Sequence, residues 1–172
     1  MAKTPMLTLD RIDRKLLQLL QEDASLAVSE LASLVNLSVT PCWRRIQKLR
    51  DAGVIRKQVL LLDAAQLNVG VTVFVSVKTS QHNPEWIERF ARGVTRIPQV
   101  VEIYRMSGDV DYLLRVVVPD IAGYDAVYKE LISVAELTDV SSSFAMEQLK
   151  YTTALPLDFV ESARAPVTRH KG

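Results

Sequence analysis

Between Ser38 and Gly53 the chain reads SVTPCWRRIQKLRDAG, which gathers Arg44, Arg45, Lys48 and Arg50 into about two helical turns. Guanidinium and ammonium groups at that density suit a polyanion: they pair with phosphate oxygens, and Arg and Lys also donate to guanine edges. Ser38 and Thr40 add hydroxyls at a helix entrance, where unpaired backbone N–H groups also favour phosphate. Thr40 and Gln47 can reach other base edges. Elsewhere the chain offers little chemistry. His82 and His170 are isolated, no His/Cys spacing fits a metal, and no Gly-rich phosphate loop occurs. Ser141, Ser142 and Ser143 have no histidine in a readable pattern and read as exposed strand serines. These features predict no enzyme, no metal and no cofactor.

The basic cluster stands out because the whole chain is nearly neutral, with a formal charge of +1 over 172 residues. Residues 1–60 carry ten basic against six acidic side chains, a net +4; the remainder carries eleven against fourteen, a net −3. From Arg44 to Lys57 six basic residues face only Asp51. Such a division points to one part that meets a polyanion and another with a different task. The composition, 48% hydrophobic and 24% charged, is that of a globular chain long enough for one ordinary domain or two small ones. The single Cys42 cannot form an intramolecular disulfide. The first ten residues lack the apolar core of a signal peptide, and no apolar run is long enough to span a bilayer. The expectation is a cytoplasmic protein without a membrane partner.

Three helices must position the basic residues. Asp10 caps the first, with Asp13 favouring its positive end, and Ile12, Leu16, Leu19 and Leu20 recur at helical spacing. A short second helix runs from about Ser29 to Val35, and Asn36 supplies the left-handed exit. The third is predicted to start at Pro41, whose missing N–H costs nothing in a first turn, with Thr40 or Ser38 as the cap. At about 100° per residue, Val39, Cys42, Ile46 and Leu49 share the face that packs on the first two helices. Thr40, Arg44, Gln47 and Lys48 fall opposite, Pro41 lies beside them, and Trp43 and Arg45 take the flanks. Cys42 then reads as a small buried hydrophobe, Trp43 as a partly buried packing residue rather than a base-stacking platform, and Arg50 as a side chain whose stem follows the apolar side. Gly53 ends the helix, and VIRKQVLLL (54–62) reads as a strand carrying Arg56 and Lys57. A short helix, tight turn and basic second helix make a helix-turn-helix; the pattern also fits a plain three-helix bundle with a solvated basic face.

After DAAQLNVG the periodicity changes. Val71, Val73, Val75 and Val77 alternate with other residues as a strand. Asn83-Pro84 opens a helix with Ile87, Phe90, Ala91 and Val94 on one face. Val100–Met106 and VDYLLRVVV (110–118) are strands joined by the turn at Ser107-Gly108-Asp109. Asp120 caps a helix that presents Tyr124, Val127, Tyr128, Leu131 and Ile132, and VSSSFAMEQLKYTT is the last strand. The order β-α-β-β-α-β predicts a ferredoxin-like antiparallel sheet with both helices on one face. Its open face would be covered by a second copy, a geometry that also suits symmetric half-sites on DNA.

Four blocks, LDRIDRKLLQLLQEDAS, ELASLVNLSVTPCWRRIQKLRDAGVI, RMSGDVDYLLRVVVPD and SSSFAMEQLKYTTALPL, together resemble the Lrp/AsnC (feast/famine) regulators, in order, from about residue 7 to residue 157. The resemblance implies an α+β chain. A winged helix-turn-helix would occupy 7–60, a linker 61–70, a ferredoxin-like effector-binding and oligomerisation domain 71–157, and a mobile tail 158–172. It implies a transcriptional regulator that binds double-stranded DNA, with homodimers assembling into tetramers or octamers. DNA contacts would come from Ser38, Thr40, Pro41, Arg44, Arg45, Gln47, Lys48, Arg56 and Lys57. It further implies an amino-acid effector at the junction between dimers, beside Ser107, Gly108, Asp109 and Asp111, with Ser142 and Ser143 completing the pocket. Gly108 would let the backbone reach the ligand carboxylate, Asp109 or Asp111 would meet the ammonium, and Ser107 would bond either. By spacing alone the same loop is a good hairpin turn.

Val39 stands where many relatives have proline, and Trp43 where they have a smaller residue, so an operator sequence does not transfer. The PCWRRI and SSSFAMEQLKYTT blocks lean toward local, amino-acid-responsive regulators rather than the global leucine-responsive type. Two other functions fit the pattern: an amino-acid-binding regulatory subunit of an enzyme, and a nonspecific DNA-packing protein.

Overall fold

The computed structural model describes residues 8–160, and these form two compact units. The first comprises residues up to Leu60 together with the chain from Lys150 onward; the second is Leu61–Leu149.

The first unit contains α1 (Arg11–Glu22), α2 (Val28–Leu34) and α3 (Val39–Asp51). Asp10 caps α1 as expected, its carboxylate accepting from the Asp13 N–H at 2.8 Å. Asn36 takes the left-handed conformation at φ 55°. Leu16, Leu31, Ala32, Val35, Cys42 and Ile46 form the buried core between the three helices.

Helix α3 departs from expectation at its start. Ser38 is the N-cap by backbone position and makes no side-chain cap bond, so the helix begins at Val39 and Pro41 is its third residue. The N–H groups of a first turn have no intrahelical acceptor, so proline is as harmless there as at the first position. The bias it imposes on Thr40 is overridden by a helix already closed by Cys42 N–H to the Ser38 carbonyl at 3.2 Å. Cys42, Ile46 and Leu49 are buried as expected, but Val39 is 50% exposed. A wheel gives a side chain's azimuth, not whether a neighbouring element extends far enough along the axis to cover it.

The expected strand over 54–62 is not formed. Val59, Leu60, Leu61 and Leu62 are exposed, because among the described residues no second strand lies beside them to complete a ladder. The 61–70 stretch is not featureless: Asp63 caps a turn by accepting from the Ala65 N–H at 2.9 Å, and Asn68 closes it at φ 56°.

The second unit is a four-stranded antiparallel sheet of β1 (Val71–Lys78), β2 (Val100–Arg105), β3 (Tyr112–Val118) and β4 (Asp139–Phe144) in the order β2-β3-β1-β4. Helices α4 (Pro84–Thr95) and α5 (Ile121–Val134) provide the other half of its core, which gives the ferredoxin-like order. Val73, Val75 and Val77 of β1 and Leu114, Val116 and Val118 of β3 meet Trp86, Phe90, Val94, Val127 and Leu131. Asn83 and Asp120 cap the two helices, accepting from Trp86 N–H at 2.8 Å and Gly123 N–H at 2.7 Å. Gly93 lets α4 approach α5 closely, since a Cβ there would stand 2.3 Å from Val134 Cγ1. Two expected core positions are exposed, Ala91 and Ile132, while Trp86, one turn before Phe90 at the edge of the expected stripe, is buried.

The last strand is shorter than the sequence pattern, ending at Phe144. From Lys150 the chain instead joins the first unit. Leu157 and Val160 pack on Leu9, Leu17 and Leu49, and Gln21 grips the backbone of Leu155 twice, accepting from its N–H at 2.7 Å and donating to its carbonyl at 3.2 Å. Arg14 donates to the Val160 carbonyl. Part of the tail expected from 158 is therefore packed; residues 161–172, with His170, lie outside the described residues.

Candidate nucleic-acid interface and effector loop

Helix α3 presents a continuous exposed surface of Ser38, Val39, Thr40, Pro41, Trp43, Arg44 and Lys48, with Gln47 half-buried among them. Arg44 and Lys48 form no ion pair among the described residues, so their charge is open to solvent. Arg56 and Lys57 are likewise exposed and form no ion pair among the described residues, but they lie on irregular chain that follows the helix. The hydroxyls of Ser38 and Thr40 are free of capping duty. Two apolar groups join this surface that sequence reasoning set aside: Val39 and Trp43, one turn apart and each 50% exposed. Apolar side chains on such a face can meet thymine methyl groups. No periodicity argument finds them, because Val39 lies on the inward azimuth.

Arg45 is differently placed from its neighbours. Its Nη1 donates to Asp10 Oδ2 at 2.5 Å and to Asp13 Oδ1 at 2.7 Å. Burial raises the Asp10 carboxyl, but the Asp13 backbone N–H and the Arg45 guanidinium outweigh it and hold the group below the usual carboxylate range. The same contacts push the Arg45 guanidinium up. The expectation that Arg45 would face phosphate alongside Arg44 meets a side chain already engaged by two carboxylates.

Cys42 is fully buried, and desolvation raises its thiol, which Arg45 only partly offsets. A buried, protonated thiol is a poor nucleophile.

In the second unit the turn between β2 and β3 is open. Gly108 has φ +114°, with nothing within 4 Å of where a Cβ would sit, so the constraint there is backbone geometry rather than space. Ser107 and Asp109 are exposed. Asp111 is not equivalent to Asp109. Its Oδ2 accepts from the Thr79 N–H at 2.8 Å, tying the end of β1 to the turn, and its Oδ1 lies 4.0 Å from His82 Nδ1. His82 is thus not isolated.

Ser142 and Ser143 are elsewhere. They pair with Val75 and Phe74 of β1, so they point to opposite faces of the sheet. Ser142 sits on the helix-covered face, hydrogen-bonded to the Tyr124 hydroxyl, which burial raises in pKa. From Asp111 it is three residues along and two strands across, about 14 Å by strand rise and spacing. One chain alone does not bring the six expected effector residues together.

On the face opposite the helices lie Phe74, Leu113 and Val117, and an Arg115–Glu102 pair with Arg115 Nε 2.9 Å from Glu102 Oε1. The Arg115 hydrogen bond outweighs burial and holds the Glu102 carboxyl down, and the Tyr104 hydroxyl also donates to it at 2.9 Å.

A helix-turn-helix unit with a basic face that forms no ion pair at Arg44 or Lys48 among the described residues, joined to a separate sheet unit, has the form of a DNA reader with a second domain. Residues 9–56 match the winged helix-turn-helix DNA-binding family, and residues 72–155 the Lrp/AsnC ligand binding domain. The DNA-binding transcriptional activator DecR of Escherichia coli K12 is 52% identical over 151 residues, 87% of this chain and 99% of that protein. The crystal structure of an AsnC family transcriptional regulator from Agrobacterium tumefaciens is 64% identical, with a TM-score of 0.85, over 88% of this chain and 99% of that one. A transcriptional regulator from Neisseria meningitidis, solved as a complex with L-Met, is 37% identical with a TM-score of 0.84, over 88% of this chain and 98% of that one. The chain belongs to the Lrp/AsnC family and is a DNA-binding transcriptional regulator.

Proposed function

We propose that this regulator reads DNA with the exposed face of α3 and answers to an amino acid received at the turn of residues 107–111. The carrying observation is that Arg44 and Lys48 stand exposed, one turn apart and unpaired, on the second helix of a helix-turn-helix. Ser38, Thr40 and Pro41 form the helix entrance, where phosphate fits; Gln47, Val39 and Trp43 face base edges; Arg56 and Lys57 add phosphate contacts. Arg44→Ala is expected to cost about 1–3 kcal/mol in DNA affinity and to flatten the dependence of log K on log salt by about 0.9. Fluorescence anisotropy with a random-sequence duplex across a salt series measures it. An unchanged slope would move Arg44 off the DNA.

The effector reading is supported by a Gly108 backbone that a ligand carboxylate can approach, an exposed Asp109 carboxylate for an ammonium, and a relative solved with L-Met. Asp111 serves mainly to hold the turn through Thr79. Ser143 would join such a pocket from a neighbouring subunit, in keeping with a site at the junction between dimers. A second copy would also cover Phe74, Leu113 and Val117, and homodimers building tetramers or octamers follow from that arrangement. The protein works in the cytoplasm, where its DNA is, and by binding rather than catalysis. A thermal-shift screen against the twenty amino acids, repeated with Asp109→Asn, tests the site. A ligand at a hundredfold over its Kd should add about 2.7 kcal/mol, and the shift should be lost in the variant. A hit that survives Asp109→Asn places the pocket elsewhere.

A further inference from the structure

The capping box of α1 is made of two carboxylates, Asp10 and Asp13, where a hydroxyl and a carboxylate is the common pairing. Two anions in one cap repel each other and need a counter-ion. Arg45 supplies it from the middle of α3, one nitrogen donating to both carboxylates across 35 and 32 residues of sequence. The Asp13 side chain is only 10% exposed, so withdrawing the guanidinium would leave a nearly buried carboxylate unpaired, the costly case. Asp10, Asp13, Arg44, Arg45 and Lys48 line one concavity with Thr8. With Arg45 gone, α3 would lose its tie to the first turn of α1 and the two carboxylates would stand unshielded beside Arg44 and Lys48, weakening the fit and repelling phosphate without removing either cation from the DNA.

We propose that Arg45 is a positioning residue for DNA binding: it locks the recognition helix to the first turn of α1 and shields the acidic cap, leaving Arg44 and Lys48 to face the DNA. Its charge is neutralised within the protein and counts for no phosphate.

The proposal rests on α3 being the DNA-contacting helix, and the experiment separates the two. Salt-dependent anisotropy with the random-sequence duplex is measured for Arg45→Ala, Asp13→Asn, the double variant, and Arg44→Ala as control. Arg45→Ala is expected to weaken binding several-fold with the salt slope unchanged, whereas losing a phosphate contact flattens it by about 0.9. Asp13→Asn, which keeps the acceptor for the cap, should weaken binding in the native background and strengthen it in the Arg45→Ala background. A flattened slope for Arg45→Ala, with Asp13→Asn strengthening binding in both backgrounds, would make Arg45 a phosphate ligand and overturn the proposal. If Arg45→Ala fails to fold by circular dichroism, Asp13→Asn alone decides: weaker binding supports the clamp, and equal or tighter binding overturns it. Should Arg44→Ala leave the slope unchanged, it is the assignment of α3 to DNA that fails.

Discussion

Trp86→Ala should lower the stability of the sheet unit by about 3–5 kcal/mol, the largest single effect expected in this chain. Trp86 is 2% exposed at the first turn of α4, with its ring stacked on Phe90 at a centroid distance of 4.9 Å and an interplanar angle of 14°. Tyr112 of β3 closes the cluster at 5.9 Å. The indole Nε1–H donates to the Glu136 carbonyl at 3.2 Å, fastening the segment after α5 to the start of α4. Truncation removes the aromatic volume, the stacking and the donor together, and leaves a carbonyl without its partner. Against a domain stability of about 5–15 kcal/mol, that loss is a large fraction of the whole. Urea unfolding followed by circular dichroism measures it. Trp86→Phe, which keeps most of the volume and loses the donor, should give about a third of the effect. A loss below about 1 kcal/mol for Trp86→Ala would mean that the cluster collapses around the vacancy.

Much of this architecture is legible from local signals. Asp10, Asn83 and Asp120 announce helix starts because a capping side chain answers a local need of the backbone. The alternation in Val71–Lys78 announces a strand because half its side chains must enter the core. The failures share a cause: they depend on what lies far away in sequence. Ile132 has the spacing of the core stripe of α5, yet it is 45% exposed. Val39 lies on the right azimuth and finds nothing above it. The runs 54–62 and 145–153 have strand composition, but a strand exists only where a neighbour provides a ladder, and among the described residues none does.

The site divides in the same way. Exposure of Arg44 and Lys48 follows from a helical wheel, and the turn at Ser107–Asp109 from residue type. The separate duties of Arg45 and Asp111 do not. Each looks equivalent to its neighbour of like charge, and only tertiary contacts, to Asp10 and Asp13 in one case and Thr79 in the other, set it apart. Ser142 and Ser143 are adjacent in sequence and face opposite ways, as the strand period requires.

The paired substitution Leu157→Ala with Val160→Ala should destabilise the helix-turn-helix unit by about 2–4 kcal/mol and leave the sheet unit unchanged. Leu157 and Val160 are half-buried against Leu9, Leu17 and Leu49, which are 3%, 6% and 2% exposed. Leu49 belongs to the recognition helix and Leu17 to α1, so this small cluster joins two of the three helices, with Ile55 packed against both it and the main core. The closing segment is held independently by the paired hydrogen bonds of Gln21 to Leu155, so the substitutions thin the packing without releasing the chain. Because the segment follows β4 in sequence, the DNA-binding unit is joined to the sheet by two covalent connections, one through residues 61–70 and one through residues 145–149. Loosening the cluster should therefore act on the seat of α3 as well as on stability. Hydrogen exchange of the amides in α1 and α3 reports the first unit, and those of β1 and β3 the second. Faster exchange confined to α1 and α3, with weaker DNA binding at an unchanged salt slope, is the expected result. Unchanged exchange in α3 would mean that the main core formed by Leu16, Leu31, Cys42 and Ile46 holds the recognition helix without help from the closing segment.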